Sequence, residues 1–195
     1  MVADKNFIWL ASFPKSGNTW IRHILRQLRG ENQLPKDNSG RLNFGAGCSS
    51  KELYATTLEA DITNLTPVDY FSGGRISFLE EWNSRAKRQN VFAKTHNACV
   101  EVKGYPLIPD SVSNGAIVMV RNPFDVAASS MNHFGINEKQ AVKFVTDVNS
   151  NLSESETQFA QLCLSWDHFV VSWITNFKQP LLIIRYEDLL ESPLH

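Results

Sequence analysis

Between Phe7 and Phe13 the chain carries an uncharged, mostly apolar run, FIWLASF, that breaks at Pro14-Lys15-Ser16-Gly17-Asn18. A short apolar run bounded by turn-forming residues reads as a strand followed by a loop. From Thr19 to Arg29 the apolar positions are Trp20, Ile21, Ile24, Leu25 and Leu28, which is helical spacing. The opening unit is therefore strand, tight loop, helix, and that unit constrains everything after it.

The rest of the chain repeats the alternation. Lys36 to Ser50 is polar and glycine-bearing and reads as a mobile surface loop. Helical patches fall at Lys51 to Ala60 and at Ile76 to Lys87. Val91 to His96 and Ala116 to Val120 read as strands rich in β-formers. Pro123 to Phe134 reads as a helix with Asn122 at the N-cap, proline at N1 and Asp125 at N3. Glu154 to Phe177 reads as one long amphipathic helix, its stripe Phe159, Leu162, Cys163, Trp166, Phe169, Val170, Trp173, Ile174 and Phe177. Leu181 to Tyr186 is a last apolar strand. Strands separated by helices imply an α/β fold, a central mostly parallel sheet flanked by helices in three layers, α/β/α, with a P-loop-like start. Ligands of such sheets bind beyond the carboxyl ends of the strands, where each polar motif below lies.

Composition narrows the classes. The 195 residues hold 19 Lys+Arg against 20 Asp+Glu and 43% hydrophobic residues, which fits one globular domain, 1–195, with a real core. A formal charge of -1 gives no support for bulk nucleic-acid binding, so an anion must be met by a local cluster of bases. No apolar run reaches the roughly 20 residues that cross a bilayer, and Met1 to Phe13 lacks the basic start of a signal peptide. Three scattered cysteines, Cys48, Cys99 and Cys163, read as reduced, buried thiols of a cytoplasmic protein.

Four motifs carry chemistry. In Pro14 to Trp20 a loop between strand and helix aims backbone N–H groups and the positive end of the helix dipole at the turn. Small residues at Ser16 and Gly17 permit close approach of an anion, and Lys15 adds a full charge. It is not a Walker A loop, because Lys15 precedes the glycine, which sets a kinase-like reading low. An ordinary connection with a surface lysine has the same composition. In Lys94-Thr95-His96, period 2 puts Lys94 and His96 on one side, about 7 Å apart at the backbone, as cation and base; a satisfied structural histidine is the alternative. In Arg121 to Ser129, Arg121 and Ser129 could grip a second phosphate, while Asn122 and Asp125 are accounted for by capping. In Arg185-Tyr186-Glu187-Asp188-Leu189, Tyr186 could offer a flat face and a hydroxyl to a purine. No His-Glu-x-x-His spacing suggests a metal, and no Gly-x-Ser-x-Gly elbow suggests an acyl hydrolase.

Together, Pro14-Lys15-Ser16-Gly17-Asn18-Thr19-Trp20, Lys94-Thr95-His96, Arg121-Asn122-Pro123 through Ser129, and Tyr186-Glu187-Asp188-Leu189 resemble, in order and spacing, the PAPS-dependent sulfotransferases of the cytosolic type. The resemblance implies 3′-phosphoadenosine 5′-phosphosulfate (PAPS) as donor and no metal. It implies that Lys15, Ser16, Gly17, Asn18 and Thr19 hold the 5′-phosphosulfate, that Trp20 stacks on adenine, that Arg121 and Ser129 bind the 3′-phosphate, and that Tyr186 contacts the base. His96 matches the family's catalytic base, with Lys15 and Lys94 stabilising the transferring group. The implied partner is a small-molecule acceptor (phenol, alcohol, amine or lipid), without nucleic acid or stable membrane insertion, and a homodimer is allowed.

Three departures stand out. Asn18 replaces a common threonine, and its amide can still donate. Asn97-Ala98 replaces a common Leu-Pro and is expected to alter acceptor contacts. The family's later Arg-Lys-Gly element, which also grips the 3′-phosphate, is expected to be missing after His195, which leaves a fragment, a truncated gene model or a paralogue with reduced donor affinity open. The second functional reading is therefore a non-catalytic module that binds PAPS or its product PAP. Phe44, Tyr54, Tyr70, Phe71, Phe78 and Phe134 are candidates for an acceptor pocket or for ordinary core packing.

Overall fold

The computed structural model describes residues 5–29, 46–86 and 89–191. Its centre is a five-stranded sheet in the order β2-β3-β1-β6-β9, every pairing parallel. These strands are Phe7–Ser12 (β1), Ala46–Gly47 (β2), Val91–Thr95 (β3), Ser113–Val120 (β6) and Leu181–Arg185 (β9). Two small antiparallel pairs stand apart from it, Glu101–Val102 (β4) with Tyr105–Pro106 (β5), and Asn151–Leu152 (β7) with Gln161–Leu162 (β8). The helices are Asn18–Leu28 (α1), Lys51–Leu58 (α2), Pro67–Asp69 (α3), Arg75–Arg85 (α4), Pro123–Phe134 (α5), Glu138–Thr146 (α6), Trp166–Asn176 (α7) and Tyr186–Glu191 (α8). The sheet lies between helical layers, as the alternating pattern implies. None of the described helices is long and apolar enough to cross a membrane.

β1 is central because it is apolar on both faces. Phe7, Trp9, Leu10 and Ala11 are all fully buried, so successive residues leave water whichever way they point. Phe7 meets Trp9 and the α4 residue Trp82 edge-on, at 5.4 and 4.9 Å between ring centroids. The polar edge of Trp9 is satisfied: its Nε1–H donates to Ser113 Oγ at 2.8 Å, and that hydroxyl donates to the Pro109 carbonyl at 2.7 Å.

The expected helix over Glu154 to Phe177 forms only from Trp166 onward. Upstream, Gln161 and Leu162 pair with Leu152 and Asn151, and Leu164 sits at φ 59°, where a right-handed helix cannot continue. The helical spacing was a coincidence of burial: Phe159 and Cys163 are buried from an irregular segment, while Ile174, assigned to the stripe, is 53% exposed. β6 starts three residues before the expected Ala116, and α8 follows the last strand at once. Of the expected mobile loop, residues 36–45 lie outside the described residues, and Ala46–Gly47 pairs with β3.

One buried cation knits the layer below the sheet. Arg75 is 1% exposed; its Nε donates to the Leu107 carbonyl at 2.9 Å, and its Nη1 donates to the Cys48 carbonyl at 2.9 Å and to Tyr70 Oη at 2.7 Å. Arg75→Met keeps the bulk, strands the Leu107 carbonyl and leaves the Cys48 carbonyl with the Tyr70 hydroxyl alone, at 3.1 Å. The expected loss of stability is on the order of 3 kcal/mol, read as a lower urea midpoint with an unchanged m-value.

Candidate active site

At the carboxyl end of the sheet, β1 passes into a loop of two left-handed residues. Lys15 sits at φ 70° and Gly17 at φ 100°, and the Ser16 N–H donates back to the Phe13 carbonyl at 3.2 Å. A non-glycine residue held in this region costs on the order of 1–3 kcal/mol, so the surrounding fold must enforce it. Gly17 caps α1 without a side-chain bond; its carbonyl accepts the Trp20 N–H at 2.9 Å and the Ile21 N–H at 3.2 Å, while the Asn18 and Thr19 N–H groups precede the first intrahelical bond. Ser16 is fully buried, and its Oγ has no hydrogen-bond partner. A buried, unsatisfied hydroxyl beside orphaned helix donors is the signature of a cradle for an anion.

Asn18 behaves differently from expectation. Its Nδ2 donates to the Leu10 carbonyl at 2.9 Å, pinning α1 to β1 instead of facing the loop. Thr19 is exposed, and its Oγ1 accepts a long bond from Arg22 Nη2 at 3.4 Å.

The second motif ends β3 beside β1. His96 lies one residue past the strand, 9% exposed, with its Nδ1 2.7 Å from the Ser12 carbonyl. A carbonyl only accepts, so Nδ1 carries the proton and Nε2 keeps its lone pair. Ser12 Oγ lies farther from the same nitrogen, at 3.4 Å. Burial pushes the imidazole well below its usual range, and the charges of Lys94, Arg22 and Lys15 push the same way. Lys94 is itself lowered to about 8, first by burial and then by Arg22. Burial and the charges of Lys94, Arg22 and Lys15 thus favour the neutral imidazole.

The third and fourth motifs meet at Arg121, one residue past β6. Its Nη1 donates to the Lys15 carbonyl at 3.2 Å, and its guanidinium lies 4.4 Å over the Tyr186 ring. Tyr186 in turn meets Trp20 edge-on at 5.1 Å. Arg121 Nε is buried without a partner, a second orphaned donor. Asn122 caps α5 through the Phe124 N–H at 3.0 Å, as expected. Ser129 stands half-buried on the same helix, and no hydrogen bond joins it to Arg121 among the described residues. Lys15, Ser16, Gly17, Trp20, Arg121 and Tyr186 are therefore brought together around one loop, with Lys94 and His96 on the neighbouring strand.

Other residues came without a sequence signal. Ser12 fixes the His96 tautomer through its backbone. Gln161 Oε1 accepts from the His96 N–H at 2.9 Å, Trp166 Nε1–H donates to the Arg121 carbonyl at 3.0 Å, and the Asn122 N–H donates to Glu187 Oε1 at 2.8 Å. Asn97 is scaffold: it is fully buried, its Oδ1 accepts from the Leu162 N–H at 2.8 Å, and its carbonyl accepts from Trp173 Nε1 at 3.2 Å. These bonds tie the residue after His96 to β8 and α7. Tyr54, Tyr70 and Phe78 belong to the core, where Tyr70 stacks on Phe159 at 4.0 Å; Phe71 packs against it, and Phe44 lies outside the described residues. Phe134 is 40% exposed against Phe144. Among the described residues no group of three or more His, Cys, Asp or Glu is placed to hold a metal.

Residues 5–195 match the sulfotransferase domain family. A flavonol 3-sulfotransferase of Flaveria bidentis is 25% identical over 201 residues, an alignment that covers 98% of this chain and 54% of that protein. The chain spans about half the length of this curated relative.

The packing of the loop has a direct test. A Cβ built on Gly17 would lie 2.6 Å from Tyr186 Cδ2, and the positive φ opposes any side chain there. Gly17→Ala is expected to lower unfolding stability by at least about 1 kcal/mol. Adding Tyr186→Leu should recover the part owed to the contact and leave the part owed to φ, which a thermal or urea double-mutant cycle separates.

Proposed function

The chain belongs to the sulfotransferase family, and from that premise we propose that it transfers a sulfuryl group from 3′-phosphoadenosine 5′-phosphosulfate to a hydroxyl or amine of a small-molecule acceptor. The observation that carries the reading is the His96 imidazole, with its Nδ1 proton committed to the Ser12 carbonyl beside the loop that follows β1. The residues present suit the donor: Ser16 Oγ and Arg121 Nε are buried donors without partners. Lys15, Ser16, Gly17 and Thr19 would hold the 5′-phosphosulfate, Trp20 and Tyr186 the adenine, and Arg121 with Ser129 the 3′-phosphate. Asn18 would contribute its backbone N–H, its amide being engaged with Leu10.

The donor supplies an activated sulfuryl group. Sulfuryl transfer, like phosphoryl transfer, asks the protein for alignment and charge stabilisation more than for covalent catalysis. His96 Nε2 takes the acceptor proton as the new bond to sulfur forms, and the Ser12 carbonyl steadies the resulting imidazolium through Nδ1. Lys15 neutralises charge growing on the oxygen of the departing phosphate, and Lys94 adds a second positive charge on the His96 side. The name of the flavonol sulfotransferase relative favours a phenolic acceptor.

Three measurements test this reading. 3′,5′-Bisphosphoadenosine (PAP) should raise the melting temperature, whereas ATP with magnesium should not; the opposite preference removes the proposal. His96→Ala should lower transfer by about 10²- to 10⁴-fold and leave PAP affinity nearly unchanged. A wild type that binds PAP yet sulfates no phenol, alcohol or amine is a binding module and not an enzyme.

The pH profile follows from the same groups. His96 is held well below its ordinary range, so it is already a free base at neutral pH and the acid limb of kcat/KM should lie below 6.5. Lys94 carries its charge below about 8 and loses it above, so the alkaline limb should fall near there. Lys94→Arg should move that limb upward.

A further inference from the structure

The irregular segment between β7 and α7 touches the site at both of its ends. At one end Gln161 is 5% exposed, and its Oε1 accepts the His96 N–H at 2.9 Å. Only the carbonyl oxygen of that amide can accept, so the orientation of Gln161 is fixed by the bond. Five residues on, Trp166 opens α7, and its indole N–H donates to the Arg121 carbonyl at 3.0 Å. Between them, Leu162 exchanges backbone and side-chain bonds with the residues after His96: its N–H donates to Asn97 Oδ1 at 2.8 Å, and its carbonyl accepts from the Ala98 N–H at 2.8 Å. Cys163 and Leu164 both donate to the Ser150 carbonyl, which locks the segment against the end of α6.

The segment therefore grips two backbones that emerge from different strands. His96 follows β3 and Arg121 follows β6, and these strands are separated by β1. Nothing in the sheet's own hydrogen bonding fixes the residues past its ends, because the ladder stops at Thr95 and Val120. Beyond the bond from the His96 ring to Ser12, contacts from outside the sheet reach their backbones.

We propose that Gln161 and Trp166 are the positioning residues of the site, Gln161 setting the placement of the His96 base and Trp166 that of the Arg121 guanidinium. The proposal deepens the sulfuryl-transfer reading and rests on it for what the two halves do. Neither side chain reacts. Gln161 acts on the backbone from which the imidazole reaches Ser12, and Trp166 acts on the backbone from which Arg121 reaches Lys15 and Tyr186. Displacements of about 1 Å at such positions cost large factors in rate, so the two clamps have separable consequences.

The test is a double dissociation. Gln161→Met keeps the length and removes the acceptor; kcat at saturating PAPS is expected to fall about tenfold while the PAP dissociation constant stays within about twofold. Gln161→Glu restores an acceptor oxygen, so it should recover kcat relative to Gln161→Met and, by adding a negative charge near His96, move the acid limb to higher pH. Trp166→Phe keeps the ring and removes the N–H; PAP affinity is expected to weaken about fivefold or more, with kcat at saturation nearly unchanged. Melting temperatures of all variants report folding, and the His96 imidazole nitrogen shifts, read by NMR, follow its tautomer without any turnover. Gln161→Met should mix the tautomers, and Trp166→Phe should leave Nδ1 protonated. Loss of kcat and PAP affinity together in both variants, or in neither, overturns the proposal. A wild type that fails to bind PAP removes the sulfuryl-transfer reading, and the Trp166 half with it; a wild type that binds PAP with unmoved variants removes this inference alone.

Discussion

The parallel register on either side of β1 is the constraint on which the site depends. Ala11 pairs with Thr95, Ser12 with Met119, and Val120 with Arg185, so four strands end at nearly one level. The residues that follow are Phe13, His96, Arg121 and Tyr186, and they leave the sheet side by side. A shift of one residue in any pairing would turn a side chain to the opposite face. The register sits in the core, where Phe7 and Trp9 to Ser12 are all buried. Convergence of the motifs is thus a by-product of how the core packs.

Arg121 shows how the convergence becomes rigid. It bonds the loop backbone at Lys15, lies over the Tyr186 ring, and is held from behind by Trp166. Tyr186 closes the circuit by packing on Trp20 and against Gly17. Three chain segments far apart in sequence are tied by one side chain. Its Nε is left buried without a protein partner.

Local chemistry was readable where it is local. The strand, loop and helix from Phe7 to Leu28 follow from composition and period, and the Asn122 cap from its position before Pro123. The pairing of Lys94 with His96 follows from alternation along β3. What could not be read depends on contacts across the chain. The i, i+4 spacing of Phe159 and Cys163 looks helical, yet both are buried from irregular chain on either side of β8. Asn18 had the right chemistry to face a ligand, but a carbonyl on β1 claims its amide. Gln161 stands in no pattern and Trp166 reads only as part of an apolar stripe, because each acts on a backbone group whose neighbourhood only the folded chain creates.

Lys15 sits in a conformation that glycine would adopt without strain. A glycine there would relax the turn and remove the cation from the mouth of the loop, giving a more robust protein with a poorer site. In the sulfuryl-transfer reaction proposed for the chain, the position trades durability for chemistry, holding an ammonium where the backbone is least comfortable. Attempts to stabilise this fold by easing unusual torsions would therefore do best to begin elsewhere, for example at Glu59 or Lys103, which share the left-handed geometry but lie away from the loop.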